Sequence, residues 1–377
     1  MHIACVSYFY EPQLTSPQEL LTAYSTLSGW AEGLAAAGAQ VTVVQRFGQD
    51  LELQYRDVHY FFVADPALRM GSMMDLASQV NRTVAQLEAD VVHANGLWFA
   101  WQAGWLKRRL PDTPILMQDH GNLPPADRLR AAAVRLGLRG LDAVSFTAPE
   151  QAAPWQEGGY LPSRTPVFSL MEGSSRFHLQ PRIVARAVTG LRGDPLCLWV
   201  GRLNANKDPL TVLEGFASTV SFLPDPRLAM AYGEDDLLLV VEAWLAERPE
   251  IAARVTLLGK LPHEEMEALY NSADLFISGS HKEGSGYAAL EALACGVLPV
   301  LTDIPSFRAL LGRGDIGMLW APGDPDALAC ALVVAAQRLA PETPEEVRAY
   351  FEAHWSFEAI GREALVVYRQ LREGSRK

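Results

Sequence analysis

One stretch of the chain, residues 281–303, most constrains the possible fold. It reads HKEGSGYAALEALACGVLPVLTD and follows the apolar run LFISGS at 275–280. Short apolar runs bounded by turn residues are typical of buried strands, and YAALEALA consists mostly of strong helix formers. The stretch therefore predicts a strand, a turn containing glycine, a helix over 287–294 and a second strand over 297–302.

The glycine turn between the predicted strand and helix is a candidate anion site. Gly284 and Gly286 let the backbone approach a ligand where a Cβ would clash. A helix that begins there directs unpaired amides and the positive end of its dipole beyond the sheet edge, which favours phosphate. Glu283 and Glu291 are carboxylates that can accept hydrogen bonds from hydroxyl groups. The combination points to a sugar nucleotide, while a capped helix with two solvated glutamates fits the local pattern equally well.

Strand and helix patterns alternate along the whole chain, which predicts parallel sheets. Strand patterns lie at 2–10, 39–45, 89–96, 113–121, 142–148, 196–203, 227–233, 254–259, 274–280 and 297–302. Helix patterns lie at 22–37, 211–218, 235–247, 264–272, 287–294, 325–339 and 343–371. The 377 residues exceed the usual size of one core, and glycines and prolines interrupt the pattern between 150 and 195. We therefore expect two doubly wound α/β domains with their boundary in that segment.

Several polar side chains lie at the predicted carboxyl ends of strands, where doubly wound domains bind their ligands. Arg202 ends one strand and Lys207 lies in the turn after it, so both cations are expected above the same sheet edge as the glycine turn. Two cations beside a helix N-terminus can clamp a diphosphate, whereas either one alone would be an ordinary surface residue. Asn95 and His120 end strands of the first half, and a histidine there can also be a hydrogen-bonded loop residue.

Composition narrows the function further. The net charge of −12 argues against a general nucleic-acid-binding protein. The four cysteines are scattered without metal-ligand spacing, so we expect neither a metal site nor a disulfide framework, and we expect no resident cofactor. The first residues lack a basic start and no apolar run reaches 18 residues, so a cytoplasmic protein is expected.

Taken together, these motifs resemble those of retaining glycosyltransferases of family 4, which have the GT-B fold of two Rossmann-like domains facing a cleft. The matching features, in order, are GRL with Lys207, LLG at 257–259, ADLFISGS, the E-x(7)-E pair Glu283 and Glu291, EALACG, PVLTD and APGDPDAL. The resemblance implies an acceptor-binding domain over 1–175 and a nucleotide-sugar-binding domain over 176–355. It also implies a last helix, 356–377, that crosses back to the first domain.

The resemblance implies that most matching residues hold the donor. The amides of four consecutive residues would bind its diphosphate: Gly284, Ser285, Gly286 and Tyr287. Arg202 and Lys207 would neutralise the diphosphate. Glu291 would accept bonds from the ribose hydroxyls, and Glu283 would contact hydroxyls of the transferred sugar.

Other implied roles concern the base and the acceptor. The backbone of Lys260 and Leu261 would lie near the nucleotide base. His120 would face the reacting sugar and the acceptor, with Asn95 and Gly121 on the acceptor side.

Three segments depart from the family pattern. The usual Gly-Gly turn after the first strand is replaced by PQLTSPQE at 12–19, where the hydroxyls of Thr15 or Ser16 could replace the missing contacts to the donor phosphates. Ser285 stands where an aromatic residue is common. The usual Asn-Gly before the second domain is replaced in MEGSSRF, residues 171–177.

The implied activity is transfer of a hexose from a nucleotide-diphosphate sugar to an acceptor hydroxyl, with retention and without a metal ion. In the family the acceptor attacks on the leaving-group face and the diphosphate takes its proton. The acceptor would be a glycan, a lipid or a small molecule in polysaccharide, glycolipid or glycoconjugate synthesis. A sugar phosphorylase and a non-catalytic sugar-nucleotide-binding protein remain as alternatives.

The arginine-rich segment 127–140 is interpreted either as an amphipathic helix in peripheral contact with an anionic membrane or as a solvated helix face.

Overall fold

The computed structural model describes residues 1–65, 74–312 and 316–374. These residues form two compact units, the first comprising residues 1–65, 74–174 and 355–374 and the second residues 175–312 and 316–354. Each unit is an α/β domain built on one mainly parallel sheet, as predicted.

The elements are numbered in chain order. The strands are β1 (His2–Ser7), β2 (Gln40–Phe47), β3 (Leu51–Tyr55), β4 (Val58–Ala64), β5 (Val91–Asn95), β6 (Ile115–Gln118), β7 (Ala143–Phe146), β8 (Val167–Ser169), β9 (Leu196–Gly201), β10 (Arg227–Tyr232), β11 (Val255–Gly259), β12 (Leu275–Ser278), β13 (Leu298–Thr302) and β14 (Met318–Trp320). The helices are α1 (Pro17–Ala23), α2 (Ser25–Ala36), α3 (Ser78–Gln86), α4 (Ala100–Arg109), α5 (Arg128–Leu138), α6 (Ala153–Glu157), α7 (Arg182–Thr189), α8 (Pro209–Thr219), α9 (Leu238–Ala246), α10 (Pro249–Ala252), α11 (His263–Ser272), α12 (Tyr287–Ala294), α13 (Pro305–Leu311), α14 (Pro325–Gln337), α15 (Thr343–His354) and α16 (Phe357–Gly374).

The first unit has an eight-stranded sheet in the order β3-β4-β2-β1-β5-β6-β7-β8. All pairs are parallel except β3 with β4. The central strands β1 and β5 are buried along nearly their whole length, because helices cover both faces of a parallel sheet. The last helix, α16, packs on α2 of this same unit, and the two backbones meet where Gly33 and Gly361 lie against each other.

The second unit has a six-stranded parallel sheet in the order β11-β10-β9-β12-β13-β14. β9 and β12 are neighbours although β10 and β11 separate them in sequence. Their carboxyl ends therefore place the loop 202–208 beside the loop 279–286. The helix predicted over 287–294 is α12, with the same bounds.

Two predicted helices are each divided in the structure. The pattern over 22–37 forms α1 and α2, and α1 begins earlier than predicted, at Pro17, because Ser16 and Glu19 form a capping box. The predicted loop at 12–19 is therefore helical in its last residues. The pattern over 343–371 forms α15 and α16. The edge strand β3 was not predicted, since its side chains are largely exposed and form no apolar run.

The arginine-rich segment 127–140 forms α5, whose buried face packs on α4. Two of its guanidinium groups stack on rings of the same unit, Arg130 at 4.2 Å from the centre of Trp98 and Arg135 at 4.3 Å from Tyr160. Such stacking employs both cations within the fold. Across the described ranges, no helix combines the length and the apolar character that crossing a bilayer requires.

Candidate active site

The loops after β9 and β12 are joined by hydrogen bonds in the second unit. The backbone N–H of His281 donates to the carbonyl of Asn206 at 2.8 Å, and Nδ2 of Asn206 donates to the carbonyl of Lys282 at 3.0 Å. The ring of His281 also lies 3.0 Å from Oδ2 of Asp208, the N-cap of α8. These contacts hold the loop that carries Lys207 against the glycine turn.

Lys207 and Glu283 form an ion pair at this junction, and their side chains are only 20% and 15% exposed. Arg202 is placed differently. Its side chain is 63% exposed, and its Nε lies 3.5 Å from Oε1 of Glu234, which follows β10 and is itself 56% exposed. Exposed pairs contribute little free energy, so Arg202 can exchange Glu234 for another anion at small cost. The sequence did not indicate Glu234.

The glycine turn leads directly into α12. Gly286 is its N-cap, with a φ of +77°, and a Cβ there would lie 2.5 Å from the ring of Phe307, so only glycine fits without rearrangement. Because Gly286 has no side chain to cap the helix, the first amides and the positive dipole end face the turn. Ser285 is buried, and its hydroxyl has no hydrogen-bond partner among the residues that the structure describes. Tyr287 is 41% exposed. This arrangement fits an anion such as a diphosphate.

Glu291 lies inside α12 and receives a hydrogen bond from the hydroxyl of Tyr270 at 2.8 Å. Burial raises the pKa of Glu291, and the bond from Tyr270 and the charge of His263 lower it by less. Tyr270, which the sequence did not indicate, fixes one carboxylate oxygen. The other oxygen can accept bonds from hydroxyl groups.

Two further predicted donor-site positions follow β11. Gly259 ends that strand with a φ of +67°, and the chain then passes through Lys260 and Leu261 before α11 begins. Lys260 is exposed and Leu261 is half-buried. Their backbone therefore lies at the same carboxyl edge of the sheet as the glycine turn.

In the first unit, His120 is held between two acceptors. Its Nε2 lies 3.2 Å from Oδ1 of Asn95, at the end of β5. Its Nδ1 lies 2.8 Å from Oε2 of Glu172, which follows β8 and is 4% exposed, while the His120 side chain is 33% exposed. Asn95 and His120 were both predicted to lie at this edge, and Glu172 was not.

The charge environment of His120 is acidic. Burial lowers the pKa of His120, but the hydrogen bond and charge of Glu172, with the charge of Asp119, outweigh burial and raise the pKa above its ordinary value. Gly121 has a φ of +73°, and its N–H donates to Oδ2 of Asp119 at 2.8 Å. The turn thereby fixes the Asp119 carboxylate, whose charge acts on His120.

A buried polar chain lies behind His120. The hydroxyl of Tyr368 on α16 lies 2.7 Å from Nδ1 of His93, and Nε2 of His93 lies 3.0 Å from Oε1 of Gln118. Burial lowers the pKa of His93 to about 4. His93 is therefore neutral at pH 7 and links the last helix to the central strands.

The two hydroxyl residues predicted near the donor phosphates precede α1. Thr15 is exposed. The hydroxyl of Ser16 accepts a bond from the N–H of Glu19 at 3.1 Å as the helix N-cap. A hydroxyl that accepts one bond still carries its own donor hydrogen.

Two family models match the chain. The model described as "Glycosyl transferase 4-like domain" matches residues 25–170, and the one described as "Glycosyl transferases group 1" matches residues 182–335. The D-inositol 3-phosphate glycosyltransferase of Rhodococcus erythropolis is 28% identical over 292 residues, which are 72% of this chain and 66% of that protein. The match thus spans just under two thirds of the relative's length.

Solved structures show the same fold over nearly the whole chain. Sucrose-phosphate synthase from Thermosynechococcus elongatus has a TM-score of 0.68 at 21% identity, with 99% of both chains covered. HepE of Anabaena, in complex with UDP and glucose, has a TM-score of 0.62 at 15% identity and the same coverage. The predicted two-domain fold is confirmed.

Proposed function

The chain belongs to the family 4 glycosyltransferases, which have the GT-B fold, and from that premise we propose that it transfers a sugar from a nucleotide-diphosphate donor to an acceptor hydroxyl with retention of configuration. The observation that supports this most directly is the ion pair of Lys207 with Glu283 at the glycine turn of α12. A cation, a carboxylate and a helix N-terminus meet there, and these are the groups that a sugar diphosphate requires.

The chemical difficulty is the departing diphosphate, which gains negative charge as the glycosidic bond breaks. Fixed donors aimed at that charge lower the barrier, and one such donor is worth roughly 3–4 kcal/mol in the transition state. In this proposal Lys207, Arg202 and the first amides of α12 supply the donors without a metal ion.

The ion pair would also allow one site to bind both the diphosphate and the transferred sugar of the donor. The ammonium group of Lys207 carries three N–H donors, so it can contact a phosphate oxygen while it keeps Glu283 in place. Glu283 then accepts bonds from hydroxyls of the transferred sugar. Glu291, oriented by Tyr270, accepts bonds from the ribose.

Our proposal for the classes of donor and acceptor is supported by the relatives of this chain. The names of the relatives refer to D-inositol 3-phosphate and to sucrose phosphate, and one solved relative holds UDP and glucose. We therefore propose a UDP-sugar as the first donor to test and a polyhydroxylated acceptor, such as a sugar phosphate, a glycan or a glycolipid head group.

A thermal-shift screen of UDP-, GDP- and ADP-sugars tests donor binding, because a ligand of the native state raises the melting temperature. Nuclear magnetic resonance of the product then gives its anomeric configuration, which should equal that of the donor. Turnover that requires inorganic phosphate would identify a phosphorylase instead. Binding without turnover or donor hydrolysis would identify a non-catalytic sugar-nucleotide-binding protein.

A further inference from the structure

In the first unit the buried carboxylate of Glu172 contacts the partly exposed ring of His120, a contact that the sequence did not indicate. We infer that Glu172 is a positioning residue that keeps His120 as an imidazolium, so that His120 serves sugar transfer as a fixed positive charge and not as a base. The role in transfer rests on the proposed function, but the protonation state does not.

The orientation of Asn95 determines the state of the first ring nitrogen. Nδ2 of Asn95 lies 3.4 Å from the carbonyl oxygen of Val6, which can only accept a hydrogen bond. The amide nitrogen therefore faces Val6, and Oδ1 faces His120 at 3.2 Å. Because Oδ1 is also only an acceptor, Nε2 of His120 must carry a hydrogen.

Glu172 determines the state of the second ring nitrogen. Its Oε2 lies 2.8 Å from Nδ1 of His120, and the carboxylate side chain is 4% exposed. A carboxylate at this distance favours the charged form of the ring, because an opposite charge within about 4–6 Å stabilises an imidazolium. Both nitrogens of His120 then carry hydrogens, and the ring is positively charged.

The segment that carries Glu172 is anchored before any ligand binds. Nε2 of Gln118 lies 3.4 and 3.3 Å from the two carbonyl oxygens of residues 170–171, directly before Glu172. The same amide accepts a bond from His93, which in turn accepts one from the hydroxyl of Tyr368. The carbonyls fix the orientation of the Gln118 amide. This orientation fixes the donor and the acceptor in each hydrogen bond from Tyr368 through His93 to Gln118.

The charged groups that face His120 favour its protonated form. Glu172 approaches from the segment after β8, and Asp119, 5% exposed, precedes His120 at the end of β6. From β5, Asn95 is uncharged and His93 is buried. An imidazolium surrounded in this way cannot take the proton of an acceptor hydroxyl. That proton must leave with another group, and in the proposed reaction the diphosphate receives it.

A histidine titration tests the inference without any turnover. In long-range proton–nitrogen spectra of the full chain, the signals of His120 are those that disappear from the eight histidines in His120→Asn. We expect both ring nitrogens of His120 to be protonated at pH 7 in the wild type. Glu172→Gln keeps the size and an acceptor oxygen but removes the charge, so His120 should lose its second proton at a lower pH. The control Glu150→Gln, at an exposed position of the same unit, should leave the titration of His120 unchanged.

A neutral His120 at pH 7 in the wild type overturns the inference, and so does a titration that Glu172→Gln leaves unchanged. The wild-type measurement decides even where the variant fails to fold. Once a donor is identified, the alkaline limb of the kcat profile should move to lower pH in Glu172→Gln, with the KM for the donor retained. Absence of turnover with every donor would contradict the proposed function and leave the titration result standing.

Discussion

Lys207 and Glu283 are 76 positions apart in the chain, and their side chains form an ion pair at the start of the turn that leads into α12. The pair forms because β9 and β12 are adjacent parallel strands whose loops leave the sheet on the same side. A cation is thus held beside the N-terminus of a helix whose N-cap, Gly286, has no side chain. The predictions for the second unit depend on this arrangement.

Removal of the Lys207 ammonium should depress catalysis. We expect Lys207→Met to lower kcat by roughly 10²- to 10³-fold, because one fixed donor to the leaving group is lost. Arg202→Ala should also lower kcat. Steady-state kinetics with a saturating donor measures both effects. Arg192→Ala, an exposed cation of the same unit, is the control and should retain the wild-type rate. A turnover rate that neither substitution changes would contradict the proposed diphosphate clamp.

Glu291 should contribute to nucleotide binding more than to chemistry. Glu291→Ala removes a charged acceptor for the ribose hydroxyls, a loss of roughly 1.5–3 kcal/mol, or about 10- to 100-fold in the Kd of the nucleoside diphosphate. Calorimetry measures the Kd, and Glu264→Ala on the exposed face of α11 is the control. Because burial raises the pKa of Glu291, binding should weaken as the pH falls and the carboxylate is protonated. An unchanged Kd in Glu291→Ala would argue that the ribose binds elsewhere.

The contact of α2 with α16 should tolerate no added carbon atom. A Cβ at Gly361 would collide with the backbone of Gly33, and one at Gly33 would collide with the carbonyl of Phe357. We expect Gly361→Ala to lower the free energy of unfolding by about 1–3 kcal/mol or more, the range for overpacked cores. Gly374→Ala, in the same helix, meets no atom within 4 Å and is the matched control. Equal melting temperatures for the two variants would show that the helices are not packed in this way.

His93 should make stability depend on pH. Burial lowers the pKa of His93 from 6.5 to about 4, so between these values the unfolded chain binds a proton that the folded chain does not. The contribution of neutral His93 to the free energy of unfolding is therefore complete above pH 6.5. It is lost as the pH falls towards 4, by roughly 3 kcal/mol in all. Urea titrations across this range should show a shallower loss in His93→Gln. The control His59→Gln, at a half-exposed position, should keep the wild-type slope. Equal slopes in wild type and His93→Gln would contradict a buried neutral His93.

Local sequence patterns determined much of this protein. The bounds of α12, the alternation of strands and helices in both halves and the placing of Arg202, Lys207, Asn95 and His120 at strand ends follow from periodicity and from glycine and proline positions. These features are encoded within windows of a few residues, because a buried parallel strand must be apolar and a helix must stop where its backbone cannot continue.

Only the tertiary structure decided which side chains pair. Glu172 was visible as a departure in 171–177, but its burial beside His120 depends on β8 lying next to β7. Tyr368 reaches His93 across 275 positions, and Tyr270 reaches Glu291 from another helix. The residue type of a glutamate or a histidine does not show whether its side chain is solvated or buried. Its charge state and role depend on the dielectric and on partners that the chain brings together only when it folds.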